Sequence, residues 1–117
     1  MNIYDPNKIE TIEPQNFSSL LNEIKKRPLL FLPKYSIWSF KSFLHGYEWA
    51  TKQNNIDFSK EQKELNDFAE WIKEKFEVKS NQGGAKIIEF QAFDERAALD
   101  LFFELYQEWR RLKEPKV

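Results

Sequence analysis

His45 is the only histidine in the sequence, and the chain contains no cysteine. Any mechanism that needs a side chain titrating near neutral pH must therefore use His45. The serines lie at expected helix caps or in polar stretches, and none has the Gly-x-Ser-x-Gly surroundings of a hydrolase nucleophile. The sequence thus predicts no catalytic residue, and His45 is expected to be a surface or partly packed side chain.

Candidate ligands for metals and phosphates are equally sparse. With one histidine and no cysteine, only carboxylates remain, and their spacing matches neither an EF-hand loop nor a Glu-x-x-His pair. Gly83 and Gly84 lack the third glycine and the Gly-Lys-Ser/Thr ending of a phosphate-binding loop. We therefore expect a simple turn at these glycines, no metal site and no cofactor.

Two groups of residues have instead the chemistry of recognition, and the first is aromatic. On a helical wheel of about 100° per residue, Trp38 and Trp49 share one stripe with His45, nearly opposite Phe40 and Leu44. A helix with aromatic residues on two faces is usually covered on both sides, and this interpretation is favoured. The alternative is that the two tryptophans anchor a protein partner, as tryptophan often does at interface hot spots.

The second group is acidic and comprises Asp67, Glu70 and Glu74 on the expected outward side of a later helix. The favoured interpretation is a solvated helix face, because neighbouring lysines such as Lys63 and Lys73 dilute the charge. The alternative is a surface that binds a basic partner protein. The candidate partner-binding residues are therefore Trp38, Trp49, Asp67, Glu70 and Glu74.

Periodic apolar residues predict the helices that must position these side chains. The spacing from Phe17 onwards predicts a first helix that is capped by Asn16 and ends at Arg27, because the residue before Pro28 is pushed out of helical geometry. The apolar residues 29–32 lie between prolines and are expected to form a short, packed connector.

The second helix is expected to begin at Ser36, a good N-cap residue, and to end near Gln53. Gly46 lies in its middle, where glycine costs about 1 kcal/mol relative to alanine. We therefore predict that a neighbouring helix approaches closely at Gly46. The third helix has the clearest signal, a capping box formed by Ser59 and Gln62.

The last third of the chain contains one ambiguous segment. After a polar loop at residues 80–84, residues 85–93 fit either a short strand or a short helix. Helix is favoured because a solitary strand would find no partner elsewhere in this sequence. Asp94 is then expected to cap a last helix that extends to about Leu112.

These elements predict an all-α fold, a compact bundle of four to five helices with an extended N-terminal arm. At 117 residues the chain has the size of one domain, with an arm at 1–13, a helical core at 14–112 and a tail at 113–117. Eleven Phe, four Trp and four Tyr exceed what a minimal core needs and favour an additional aromatic surface for a partner.

Net charge and hydropathy indicate which classes of partner and which cellular compartment are favoured. The 18 basic and 19 acidic residues give a net charge of −1, which disfavours nucleic acid as a partner. The longest unbroken apolar run is only residues 29–32, so no membrane segment is expected. The absence of cysteine and of a secretory signal favours a cytoplasmic protein.

Several sequence blocks occur in an informative order. A Lys-Lys-Arg-Pro at 25–28 precedes the apolar Leu-Leu-Phe-Leu at 29–32, and Ser36 opens a helix that contains Phe-Leu-His-Gly-Tyr at 43–47. This order resembles the small bacterial immunity proteins of polymorphic toxin systems, whose pattern includes a Lys-Arg-Pro, an apolar element, a Ser and a Phe-Leu-x-Gly-Tyr.

Later segments extend the resemblance over residues 17–112. Residues 68–76 and 101–109 look like the middle and closing helices of that family. Two positions depart from its pattern: Pro33 stands where a glycine is expected, and residues 83–85 (Gly-Gly-Ala) stand where a Ser-Trp pair often precedes the Ile-Ile.

The resemblance implies an all-helical cytoplasmic protein that neutralises a cognate toxin domain by occluding it. It implies no particular site residues, because immunity interfaces diverge together with their toxins. The leading hypothesis is therefore a non-catalytic protein-binding module. The alternatives are a self-associating structural or adaptor domain that forms a homodimer, and a small enzyme that depends on His45.

Overall fold

The computed structural model describes residues 16–114, and this part of the chain is folded into helices without any β-strand. The all-α prediction is confirmed, including the helical interpretation of residues 85–93. The predicted arm at residues 1–13 lies outside the described residues. The helices are α1 (Phe17–Lys26), α2 (Pro28–Phe31), α3 (Ile37–Gln53), α4 (Lys60–Lys75), α5 (Gly84–Gln91) and α6 (Glu95–Lys113).

Short-range polar contacts fix where these helices begin. The Asn16 side chain accepts a hydrogen bond of 2.8 Å from the backbone N–H of Ser19 at the start of α1. Ser59 and Gln62 form the predicted capping box, with hydrogen bonds of 3.2 Å and 2.9 Å. Asp94 caps α6 in the same manner as Asn16 caps α1. Each of these starts was predicted correctly, because capping depends only on neighbours in sequence.

The segment predicted as a packed connector is instead the single helical turn α2. Pro28 occupies its first position, where the fixed φ of proline favours a helical start. One turn can present only part of its surface to the core, so Leu32 is buried while Leu29 and Leu30 are exposed. The expectation that the whole segment is packed was therefore wrong for these two leucines.

The core is an aromatic cluster centred on α6, which packs against α3, α4 and α5. The ring of Phe102 lies 4.8 Å from that of Phe40 on α3 and 5.4 Å from that of Phe68 on α4, measured between centroids. Both pairs have the edge-to-face geometry that aromatic rings favour. α6 is thus the central helix, the position that the sequence favoured for α3.

α3 is covered at its beginning and exposed towards its end. Ile37 and Phe40 are buried, whereas Trp49 and Ala50 are exposed. Gly46 lies in the exposed part, and no atom lies within 4 Å of the position that a Cβ would occupy there. The predicted close approach of a neighbouring helix at Gly46 was therefore wrong. Within residues 16–114, every helix is too short or too polar to traverse a bilayer.

Candidate protein-binding site

An apolar pocket of about 170 Å³ opens between α3 and α4, above the first turns of α5. It exists because α3 and α4 each pack against α5 but scarcely contact one another. Phe40, Phe68 and Phe102 reach it from the core, together with Ile72 and Ile88. The interior of the pocket is therefore formed by the same side chains that hold the fold together.

Three small residues keep the α4–α5 side of the pocket open. Ala69, Gly84 and Ala85 all line it. A Cβ on Gly84 would lie 3.7 Å from the Cβ of Ala69, an ordinary contact distance, so the two helices are close together here. Larger side chains at these positions would occupy the space that the pocket now provides.

Polar residues line the pocket only from α3, where Lys41, His45 and Glu48 follow each other at one-turn intervals. His45 is exposed, so it belongs to the solvent side of the pocket rather than to its apolar interior. Among residues 16–114, no three His, Asp or Glu side chains lie together in a way that could hold a metal ion. The arrangement can accept an apolar group and present charges beside it.

The two tryptophans of the predicted stripe lie in different environments. Trp38 is half-buried, its indole Nε1–H donates a hydrogen bond to the carboxylate of Glu89, and the Lys41 ammonium lies 5.6 Å from its ring centroid. Trp49 follows the pocket residue Glu48 directly and is 66% exposed. The favoured interpretation of a covered helix therefore holds for Trp38 and was wrong for Trp49. A partner-binding role for either residue stays a prediction.

The acidic stripe lies on a different surface. Asp67, Glu70 and Glu74 are all exposed, and Glu70 approaches Lys73 at 3.9 Å. Glu70 and Glu74 border an open depression near Val78, on the side of α4 that faces away from the pocket. The structure does not bring the acidic stripe and the tryptophans together, and the role of the stripe in binding stays a prediction.

Sequence reasoning missed two strongly exposed aromatic residues, Phe90 at 86% and Phe93 at 96%. We call them the phenylalanine pair. Helical periodicity gave no single direction for Phe90, because it lies two positions after the buried Ile88, on the opposite side of α5, but three positions after the buried Ile87, a spacing that shares a face. Phe93 lies in the connection between α5 and α6, where helical periodicity gives no direction.

Polar contacts near the phenylalanine pair attach the start of α3 to the start of α6. Tyr35 donates a hydrogen bond to Asp100, and this bond is the main reason why the pKa of Tyr35 is raised. Arg96 stacks over the Tyr35 ring at 4.4 Å, and Lys34 pairs with Glu95 at 3.0 Å. These charges are paired within the molecule, which leaves the nearby surface without a strong local field of either sign.

Comparison of the chain with protein-family models, with curated proteins and with solved structures finds no match.

Proposed function

We propose that this protein is a non-catalytic protein-binding module, an immunity protein that neutralises a cognate bacterial toxin by direct binding in the cytoplasm. The main support is one observation: an apolar pocket opens on the surface between α3 and α4, and α3 also carries the exposed Trp49. Pockets and protruding tryptophans are the anchor sites of tight protein interfaces. The toxin as the partner is inferred from the order of sequence blocks described above.

Neutralisation by occlusion requires a rigid surface and no reactive group. The interior of the pocket consists of core residues such as Phe40 and Phe68, whose positions are fixed by the packing of α3, α4 and α6. A surface that is already in its binding conformation loses little conformational entropy when the partner docks. This property favours a tight and stoichiometric inhibitor.

The proposal is tested by co-expression with the toxin domain encoded in the adjacent reading frame. We expect that the two proteins purify as a stable complex and that cells producing both grow, whereas cells producing the toxin alone do not. If the neighbouring product forms no complex and its toxicity persists, the proposed function is contradicted.

A second candidate function, self-association, is favoured by the phenylalanine pair. Large aromatic side chains as exposed as Phe90 and Phe93 are unusual on a monomer and are typical of interfaces. A homodimer through this surface predicts a dimeric mass in light scattering, converted to a monomeric mass by the double substitution Phe90→Ser and Phe93→Ser. Trp49→Ser is the control and should leave a dimer intact. A monomeric wild-type protein would exclude this candidate.

A further inference from the structure

We infer that the pocket between α3 and α4 receives one apolar side chain, of about the size of phenylalanine, from an acidic segment of the protein partner. This inference rests on the proposed function, because its occupant belongs to a protein. It specifies which kind of side chain enters the pocket and on which side of that side chain the acidic residue of the partner lies.

The size of the pocket selects a single side chain. An apolar cavity of roughly 150 Å³ is large enough to bind benzene in another protein, and the volume here is about 170 Å³. One phenyl ring matches a space of this volume. The rings of Phe40, Phe68 and Phe102 offer edges and faces to an entering aromatic group.

Lys41 makes the pocket favour an occupant that has a negative charge next to its apolar group. Among residues 16–114, no carboxylate lies within 4.0 Å of the Lys41 ammonium, while seven other ion pairs are formed. Its nitrogen lies 3.5 Å from the position that a Cβ on Gly83 would occupy, next to the amino end of α5. The partial positive charge of that helix end adds to the charge of Lys41.

Glu48 makes this preference directional. It lies on α3 two turns beyond Lys41, at the opposite end of the row of polar residues that lines the pocket. A carboxylate of the partner is attracted towards Lys41 and repelled from Glu48, so it should lie on the α5 side of the anchor.

A small probe tests the pocket without the toxin. We propose titration of the purified protein with 3-phenylpropionate and with its neutral amide, followed by NMR of the isoleucine methyl groups. Methyl signals of Ile37, Ile72 and Ile88 should shift, and the carboxylate should bind about two- to fivefold more tightly than the amide, the range of an exposed charge pair. Lys41→Gln should abolish this difference, because it removes the charge that distinguishes the two probes.

A second experiment uses a variant whose larger side chain fills the pocket. Ala85→Leu should abolish the methyl shifts, whereas Lys86→Leu, the same substituent on the adjacent exposed residue, should preserve them. The methyl spectrum without probe shows whether each variant is folded. Absence of wild-type shifts with either probe, or equal shifts in both leucine variants, would overturn the inference.

Failure of the inference and failure of the proposed function give different results. If the toxin complex forms and Ala85→Leu binds the toxin as tightly as Lys86→Leu, the pocket inference is overturned and the proposed function stands. If the probe binds in the pocket but no toxin complex exists, the proposed function is contradicted and the inferred chemistry of the pocket is retained.

Discussion

The buried hydroxyl of Tyr106 on α6 has no hydrogen-bond partner among residues 16–114, and the ring of this tyrosine packs edge-on against Phe68 of α4. Burial is the largest cause of the raised pKa of Tyr106, and the charge of Arg110 opposes it. An unsatisfied buried polar group costs roughly 1–3 kcal/mol. The ring of Tyr106 packs in the core, and we expect its hydroxyl to lower the stability of the fold.

We predict that Tyr106→Phe stabilises the fold by about 1 kcal/mol, measured by urea unfolding at pH 7. The pKa of Tyr106 is raised on folding, so loss of its proton costs more free energy in the folded than in the unfolded state. The stability that depends on the protonated hydroxyl is therefore fully present below the unfolded pKa of about 10 and is lost as the pH rises through the folded pKa. The variant should lose less stability than the wild type between neutral and alkaline pH.

Tyr47→Phe is the control for this prediction, because Tyr47 is exposed and its hydroxyl is not among the buried groups without a partner. It should leave the stability at pH 7 unchanged. A destabilised Tyr106→Phe variant would show that the hydroxyl is hydrogen-bonded in solution and would contradict the prediction.

The helix and the stripe on which a residue lies could be predicted from the sequence, but the exposure of its side chain could not. The periodicity placed Trp38 and Trp49 on one stripe of α3, and both lie on that helix. Their surroundings differ because Glu89 of α5 reaches Trp38, while Trp49 lies on the exposed end of α3. Which part of a helix a neighbour covers is decided by tertiary packing, which a single-helix pattern does not contain.

At the scale of elements, the signals that act within one turn were reliable. Asn16, Ser36, Ser59 and Asp94 were each predicted as caps, and each side chain accepts the expected backbone hydrogen bond. The pocket could not be predicted in this way, since its lining comes from four helices, α3, α4, α5 and α6. Gly83 and Gly84 indicated a turn, but the sequence did not indicate that these small residues leave space for a pocket.

Gly46 supplies a prediction about α3 as an element. Since a Cβ at this position meets open space, Gly46→Ala should stabilise the protein by about 0.5–1 kcal/mol through helix propensity and reduced backbone entropy. Thermal or urea unfolding measures the gain. Ser42→Ala, at another exposed position of α3, should give a smaller gain. A loss of stability in Gly46→Ala would show that a neighbouring group contacts this position.

At the scale of the whole molecule, the fold and the candidate binding surface share their residues. Phe40, Phe68 and Phe102 pack the core and also reach the pocket, so the pocket shape depends on the intact bundle. Substitutions of these rings would alter folding and binding together. Exposed residues such as Trp49 separate the two effects, because their replacement changes the surface and leaves the packed interior as it is.

The phenylalanine pair and the pocket lie on different sides of α5, since Ile88 lines the pocket while Phe90 faces solvent. The pocket and the phenylalanine pair are therefore separate apolar surfaces, and a partner that docks on the pocket leaves the pair accessible. The net charge of −1 gives neither surface a long-range advantage. Local shape and local charge must then determine which one binds.

The central claim is that this protein acts by binding a toxin at the pocket and Trp49. The most direct test measures by calorimetry the affinity of the purified toxin for the wild type, for Trp49→Ser and for Leu112→Ser. Leu112 is the control, because it is 68% exposed, compared with 66% for Trp49, and does not line the pocket. We predict that Trp49→Ser weakens binding by at least about tenfold while Leu112→Ser binds like wild type. Equal affinities for all three proteins would contradict the claim.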